Sequence, residues 1–146
     1  MARTAIPTWY FALVVVRRGH RFLLVQETKY GQAWSIPGGR VAIGETLVGA
    51  AIRETLEESG IPVAIEGVLR VEHSPRDTDA RMRVIFAGTP IDDSEPKSIA
   101  DTESLRAAWL TLDEIRQIPL RGHDLLALLE SRIVYPLELF GHELSV

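Results

Sequence analysis

The period of the apolar positions changes several times along the chain, and each change marks an element. Residues 9–17, aromatic and β-branched, read as a strand. Arg18, Gly19 and His20 supply a turn, and residues 21–27 read as the returning strand of a hairpin. Residues 29–33 form a polar loop, and residues 34–39 a short extended piece ending in the breaker Pro37-Gly38-Gly39. Thr46 can cap a helix that runs to about Ser59, where Gly60 suits a left-handed C-terminal position and Pro62 prevents continuation. Residues 64–72 and 82–88 read as strands joined by the polar loop 74–80. A loop rich in Asp, Ser and Pro (91–101) leads to a strand over 105–110. Thr111 then caps a short helix through Gln117, and residues 122–132 read as a final helix. Residues 1–8 read as a loose arm. The apolar tail 135–146 suits docking on the core or on a second subunit, which would make a homodimer. Strands first, one interrupting helix and helices last predict an α/β fold, a mixed sheet with helices on both faces.

The interrupting helix carries an anomaly. Glu54, Glu57 and Glu58 fall at i, i+3 and i+4 and share an arc of about 100°. Like charges at this spacing repel by about 0.2–0.5 kcal/mol per pair, and the last turns of a helix disfavour anions. One explanation is a solvated acidic face. The helical wheel favours another: Leu47, Ala50 and Ala51 define a small apolar stripe that continues into Glu54 and Glu58, so these carboxylates point toward protein or a cleft. Hard divalent cations such as Mg²⁺ prefer clustered carboxylate oxygens.

The surrounding segment resembles the Nudix box. From Gly39 there are five residues to Glu45, then seven to Arg53-Glu54, followed by Thr55, Leu56, Glu57-Glu58, Ser59, Gly60 and Ile61. Thr55, at a hydrophobic position, is the one soft departure. The resemblance implies a Nudix-type α/β/α sandwich with a mixed β-sheet over almost the whole chain, as a single domain, 1–146. It also implies Mg²⁺-dependent hydrolysis of a pyrophosphate linkage, with Mn²⁺ as a substitute. On the same grounds Glu57 and Glu58 are the first metal ligands, Glu54 is a further ligand or the base, and the Gly39 carbonyl is another ligand. Arg53 and Glu45 would be a buried supporting ion pair. Glu103, six residues before Trp109, matches a glutamate that in many relatives reaches the metals or serves as base; an exposed loop acid is the alternative. Arg40 resembles a phosphate-binding position, and Lys29, Arg81 and Arg83 are candidates of the same kind.

Composition bounds the rest. A chain of 146 residues with 46% hydrophobic content can bury a core of its own. Its net charge of −4 gives no global field to recruit nucleic acid. There is no cysteine, which excludes disulfides and fits a reducing cytoplasm. The apolar run 11–16 is too short to span a bilayer, and Arg17 and Arg18 follow it with no cleavage pattern. His20, His73, His123 and His142 show no zinc spacing.

Substrate selection must come from outside the box. Residues 97–109 and 119–124 are similar to the vertebrate Nudix branch that hydrolyses oxidised guanine nucleoside diphosphates. That resemblance nominates Asp124 as the residue reading the base, with Arg121 and His123 beside it; a first-turn acid complementing the helix dipole is the alternative. Trp34 and Trp109 read as core, with base stacking as the alternative there and at Tyr30 and Phe11. The expected substrate is a small nucleotide, a nucleoside di- or triphosphate. A nucleotide sugar, dinucleotide, ADP-ribose or thiamine-precursor pyrophosphate is the second reading. A nucleotide-sensing module without catalysis is the third.

Overall fold

A computed structural model describes residues 2–141. The chain runs β1 (Thr8–Arg18), β2 (Arg21–Gln26), β3 (Trp34–Ser35), β4 (Gly38–Arg40), α1 (Leu47–Ser59), β5 (Val63–Pro75), β6 (Ala80–Pro90), β7 (Arg106–Thr111), α2 (Leu112–Ile115), α3 (Leu125–Glu130) and β8 (Tyr135–Pro136). Short 3-10 turns lie at Tyr30–Gln32 and Leu137–Leu139. The strands form one mixed sheet in the order β3-β2-β1-β6-β5-β8, with β4 beside β1 and β7 beside β2. β1 and β6 run parallel, and every other pairing is antiparallel.

β1 organises the molecule. Its last residues pair with β2 and its middle, Phe11 to Leu13, pairs with β4, so one strand edge serves two partners. Its side chains alternate between two cores, as the strand period requires. Ala12, Val14 and Val16 join Ala50 and Ala51 of α1, Ile61 and Phe86 on one face. Val15 joins Phe22, Leu24, Ile115, Leu125 and Leu129 on the other, under α2 and α3. The result is the expected α/β/α sandwich. Small side chains at Ala50 and Ala51, both fully buried, let α1 lie close to the sheet.

α1 begins where capping chemistry places it: the Thr46 hydroxyl accepts the Gly49 N–H at 2.9 Å. It ends at Gly60, whose φ of 76° closes the helix in the left-handed region. Thr55 is fully buried, and its hydroxyl donates to the Ala51 carbonyl at 2.7 Å. A hydroxyl satisfied within its own helix costs little inside a core, which explains why a polar residue stands at a hydrophobic position.

The β5–β6 pair and the final helix differ from expectation, and the tail takes one of its two expected places. β5 and β6 run on to Pro75 and back from Ala80, because Arg76 and Asp79 close a tight turn through backbone and side-chain bonds. The final helix is only Leu125–Glu130. The preceding backbone is tied to β3 instead: Trp34 N–H donates to the Pro119 carbonyl and Arg121 N–H to the Trp34 carbonyl, both at 2.9 Å. The tail, expected to dock on its own core or on a partner, docks on the core over its described part. Tyr135 and Pro136 pair with β5, and the Phe140 ring lies 5.8 Å from that of Phe86. The rest of the tail, 142–146, and His142 with it, lie outside the described residues. No helix among the described residues is long and apolar enough to cross a membrane.

Candidate active site

α1, β4 and the loop before β7 converge at one edge of the sheet. Carboxylate oxygens of Glu54, Glu57 and Glu103 lie within 4.8 Å of one another. Glu54 lies against β4: a Cβ on Gly39 would sit 2.5 Å from its carboxyl carbon, so any larger residue there would push the carboxylate aside. Burial, opposed by the Arg53 guanidinium and aided by Glu57 and Glu103, pushes the Glu54 carboxyl above its ordinary range. Donor chemistry, crowding of like charges and the bare glycine backbone all suit a hard divalent cation at this place.

Glu58, expected with Glu57 as a first ligand, is placed differently from the trio. It is more deeply set, and its carboxylate accepts the Gly38 N–H at 3.3 Å. Burial pushes its carboxyl up to about 8, with Glu54, Glu27 and Glu103 adding to the rise. It stands within electrostatic reach of Glu54 and Glu103.

Arg53 ties the site together. It binds Glu45 through two nitrogens at 2.7 and 2.9 Å, reaches Glu54 at 2.8 Å and Glu57 at 3.2 Å, and donates to the Arg40 carbonyl at 3.0 Å. Bidentate pairing of this kind fixes direction as well as charge. It holds the Glu45 carboxyl down to about 2, helped by the Ala42 N–H. Where a buried pair was expected, the Arg53 side chain is one-third exposed.

The loop that delivers Glu103 is built by residues the sequence reading did not single out. Asp101 accepts the N–H groups of Glu103 and Ser104, at 2.8 and 3.1 Å. The Ser104 hydroxyl donates to the Glu58 carbonyl at 2.5 Å, and Lys97 donates to the Glu57 carbonyl at 2.6 Å and to Asp101 at 2.7 Å. Lys97, with the same bonds from Glu103 and Ser104, holds the Asp101 carboxyl down to about 2. The signal was present: Asp101 two residues before Glu103 is an Asx turn, a standard way to order a loop.

On the opposite face of the sheet a cleft of about 530 Å³ opens beside β4. Its floor holds Phe11, Leu13 and Ile85, with Tyr30 and Asp124 on its walls. Arg40 and Gly39 line it too, so it borders the acidic edge. Asp124 precedes α3 but makes no capping bond; its carboxylate instead accepts from Arg70 at 2.9 Å. Arg70 also meets Glu72, which meets Arg83, at 3.2 and 2.9 Å. Of the other candidates, Arg81, Arg83 and Arg121 line the cleft. Lys29 and His123 are exposed and do not line it. Trp34 and Trp109 are buried in the two cores.

Fold and acidic edge together suit a divalent cation held by clustered carboxylates beside a cleft. The NUDIX domain family matches residues 8–129, and the chain belongs to that family. It is similar to the human 8-oxo-dGDP phosphatase NUDT18, with 37% identity over 77% of this chain and 35% of that protein. It is also similar to the Escherichia coli phosphatase NudJ, with 33% identity over 87% of this chain and 86% of that protein. A NUDIX hydrolase from Nitrosomonas europaea superposes with a TM-score of 0.79 at 26% identity, covering 93% of this chain and 97% of that one. The chain spans about a third of the length of the NUDT18 proteins it matches.

Proposed function

We propose that this chain hydrolyses nucleoside di- and triphosphates, oxidised guanine nucleotides among them, at a pyrophosphate linkage, using Mg²⁺ with Mn²⁺ as a substitute. The observation that carries this reading is the carboxylate trio Glu54, Glu57 and Glu103, joined through the Gly39–Arg40 backbone of β4 to a cleft of about 530 Å³. Similarity to 8-oxo-dGDP phosphatases supports the choice of substrate.

Glu54 and Glu57 would hold the metal, with the Gly39 carbonyl and Glu58 completing its surroundings. A bound divalent ion supplies neutralisation of phosphate oxygens and acidification of water. The other tasks fall to the chain. Arg53 orients Glu54 and Glu57 and keeps Glu45 on the loop. Glu103 takes the proton as the water oxygen bonds to phosphorus, and the bridging P–O bond breaks with its electrons on the departing phosphate. Arg40, one residue beyond Gly39, meets the phosphates. Phe11 and Tyr30, each with an arginine guanidinium over its ring, flank the base, and Asp124, steadied by Arg70, reads its edge.

Calorimetric titration with Mg²⁺ tests the metal assignment. One strong binding event should weaken by at least tenfold in Glu57→Gln. Unchanged affinity would remove the trio from the site. For the base, Asp124→Ala should alter the preference between 8-oxo-dGDP and dGDP more than the rate on the poorer of the two. An unaltered preference would return Asp124 to a structural role.

A further inference from the structure

The cleft holds more positive charge than its own acids can neutralise. Six arginines line it: Arg40, Arg70, Arg76, Arg81, Arg83 and Arg121. Arg121 is taken by Glu27, Arg76 by Asp79, Arg70 by Glu72 and Asp124, and Arg83 by Glu72. Among the described residues Arg40 and Arg81 have no carboxylate within ion-pair distance. Each guanidinium lies instead over an aromatic ring, Arg40 over Trp9 at 4.5 Å and Arg81 over Phe11 at 4.6 Å. Stacking fixes a planar cation while leaving its N–H edge free to bind oxygen.

Register places Arg81 away from the acidic edge, with Arg40 between the two. Gly39 and its neighbours Ala12 and Val84 face α1 and the carboxylates. Arg40, Phe11 and Arg83 form the next row on the opposite face, and Trp9 and Arg81 the row beyond it. Arg81 lies two strands from β4, on β6, and a row further along β1 than Arg40. A neutral base does not satisfy it. The chain as a whole carries a net charge of −4, so this local excess runs against the background.

We propose that Arg81, with Arg40, forms a second anion subsite, and that the preferred substrate is a nucleotide carrying a further phosphate on its ribose, remote from the scissile linkage. This rests on the hydrolase reading for its first phosphates, but it can be tested without turnover. Metal-free calorimetry would compare a guanosine 3′,5′-bisphosphate with the 5′-monophosphate. The bisphosphate should bind at least tenfold more tightly to the wild type, and raised salt should erode that gain. The ratio should fall to about one in Arg81→Gln and be reduced in Arg40→Gln. In turnover with Mg²⁺, the 5′-diphosphate bearing a 3′-phosphate should show the same gain in kcat/KM, through KM. An equal gain with a 5′-phosphorylated dinucleotide identifies the phosphate as that of a nucleic-acid end, and a gain confined to the monoester identifies a small nucleotide. A bisphosphate that binds no better than the monophosphate, or an advantage that survives Arg81→Gln, overturns the subsite. Failure of turnover alongside the expected binding ratio would contradict the hydrolase reading and leave the subsite standing.

Discussion

At the scale of single residues, the acids of α1 differ in what surrounds them, and their expected behaviour differs accordingly. Glu57 is exposed and Glu54 partly buried, yet both share the Arg53 guanidinium. Glu57→Gln should lower turnover by at least about 100-fold while leaving thermal unfolding nearly unchanged, as expected when a metal ligand on a helix surface is lost. A variant with more than a tenth of wild-type activity would exclude Glu57 as a ligand. Glu58 makes a prediction of its own in the metal-free protein. Its carboxyl is pushed up to about 8 from an ordinary 4.5, so between these pH values the folded state holds a proton that the unfolded state has released. Its stabilising contribution is complete below pH 4.5 and is lost as pH rises through 8. Glu45 and Asp101, held down to about 2, act in the opposite sense and only at more acid pH. Urea midpoints of the apo-protein should therefore fall from pH 6 to pH 9, and Glu58→Gln should flatten that slope. Midpoints that rise with pH would contradict the placement of Glu58. The pattern of the glutamates was legible in the sequence because helical spacing is local. Their division into a trio and a deeper fourth acid was not, because it depends on how close β4 passes.

At the scale of elements, α1 was readable almost to the residue. Thr46, Gly60 and Pro62 are local stop and start signals, and the observed helix obeys them. Thr46→Ala should cost about 1 kcal/mol, read as a lowered urea midpoint. The β1–β2 hairpin was equally plain, since its turn and alternation are local. Non-local pairings were not. The sequence showed no reason for the final helix to begin late, because the backbone just before it is tied to Trp34, far away in the chain. Likewise Arg70 and Glu72 gave no signal; register shifts in β5 decide which of its side chains reach the cleft. Docking of β8 offers a direct check. A Cβ on Gly67 would meet the Val134 side chain and lie 2.7 Å from the Tyr135 carbonyl. Gly67→Ala should destabilise by about 1–3 kcal/mol and expose the tail to limited proteolysis before the core is cut. Unchanged stability and protection would mean that β8 does not hold this edge.

At the scale of the whole molecule, one sheet separates two tasks. Its α1 face meets the carboxylates that suit a metal, and its other face carries the cleft with aromatic and arginine side chains. β4 is the seam between them, where Gly38 donates to Glu58 and Gly39 gives way to Glu54. This division lets chemistry stay constant while the cleft changes, which is why the box was legible from sequence and the substrate was not. The most direct test is product analysis with 8-oxo-dGDP, dGDP and the corresponding triphosphates, with and without Mg²⁺, for the wild type and Glu57→Gln. Mg²⁺-dependent release of the monophosphate by the wild type, lost in the variant, is the expected result. A folded wild type that binds these nucleotides and cleaves none of them, with Mg²⁺ or Mn²⁺ present, would contradict it.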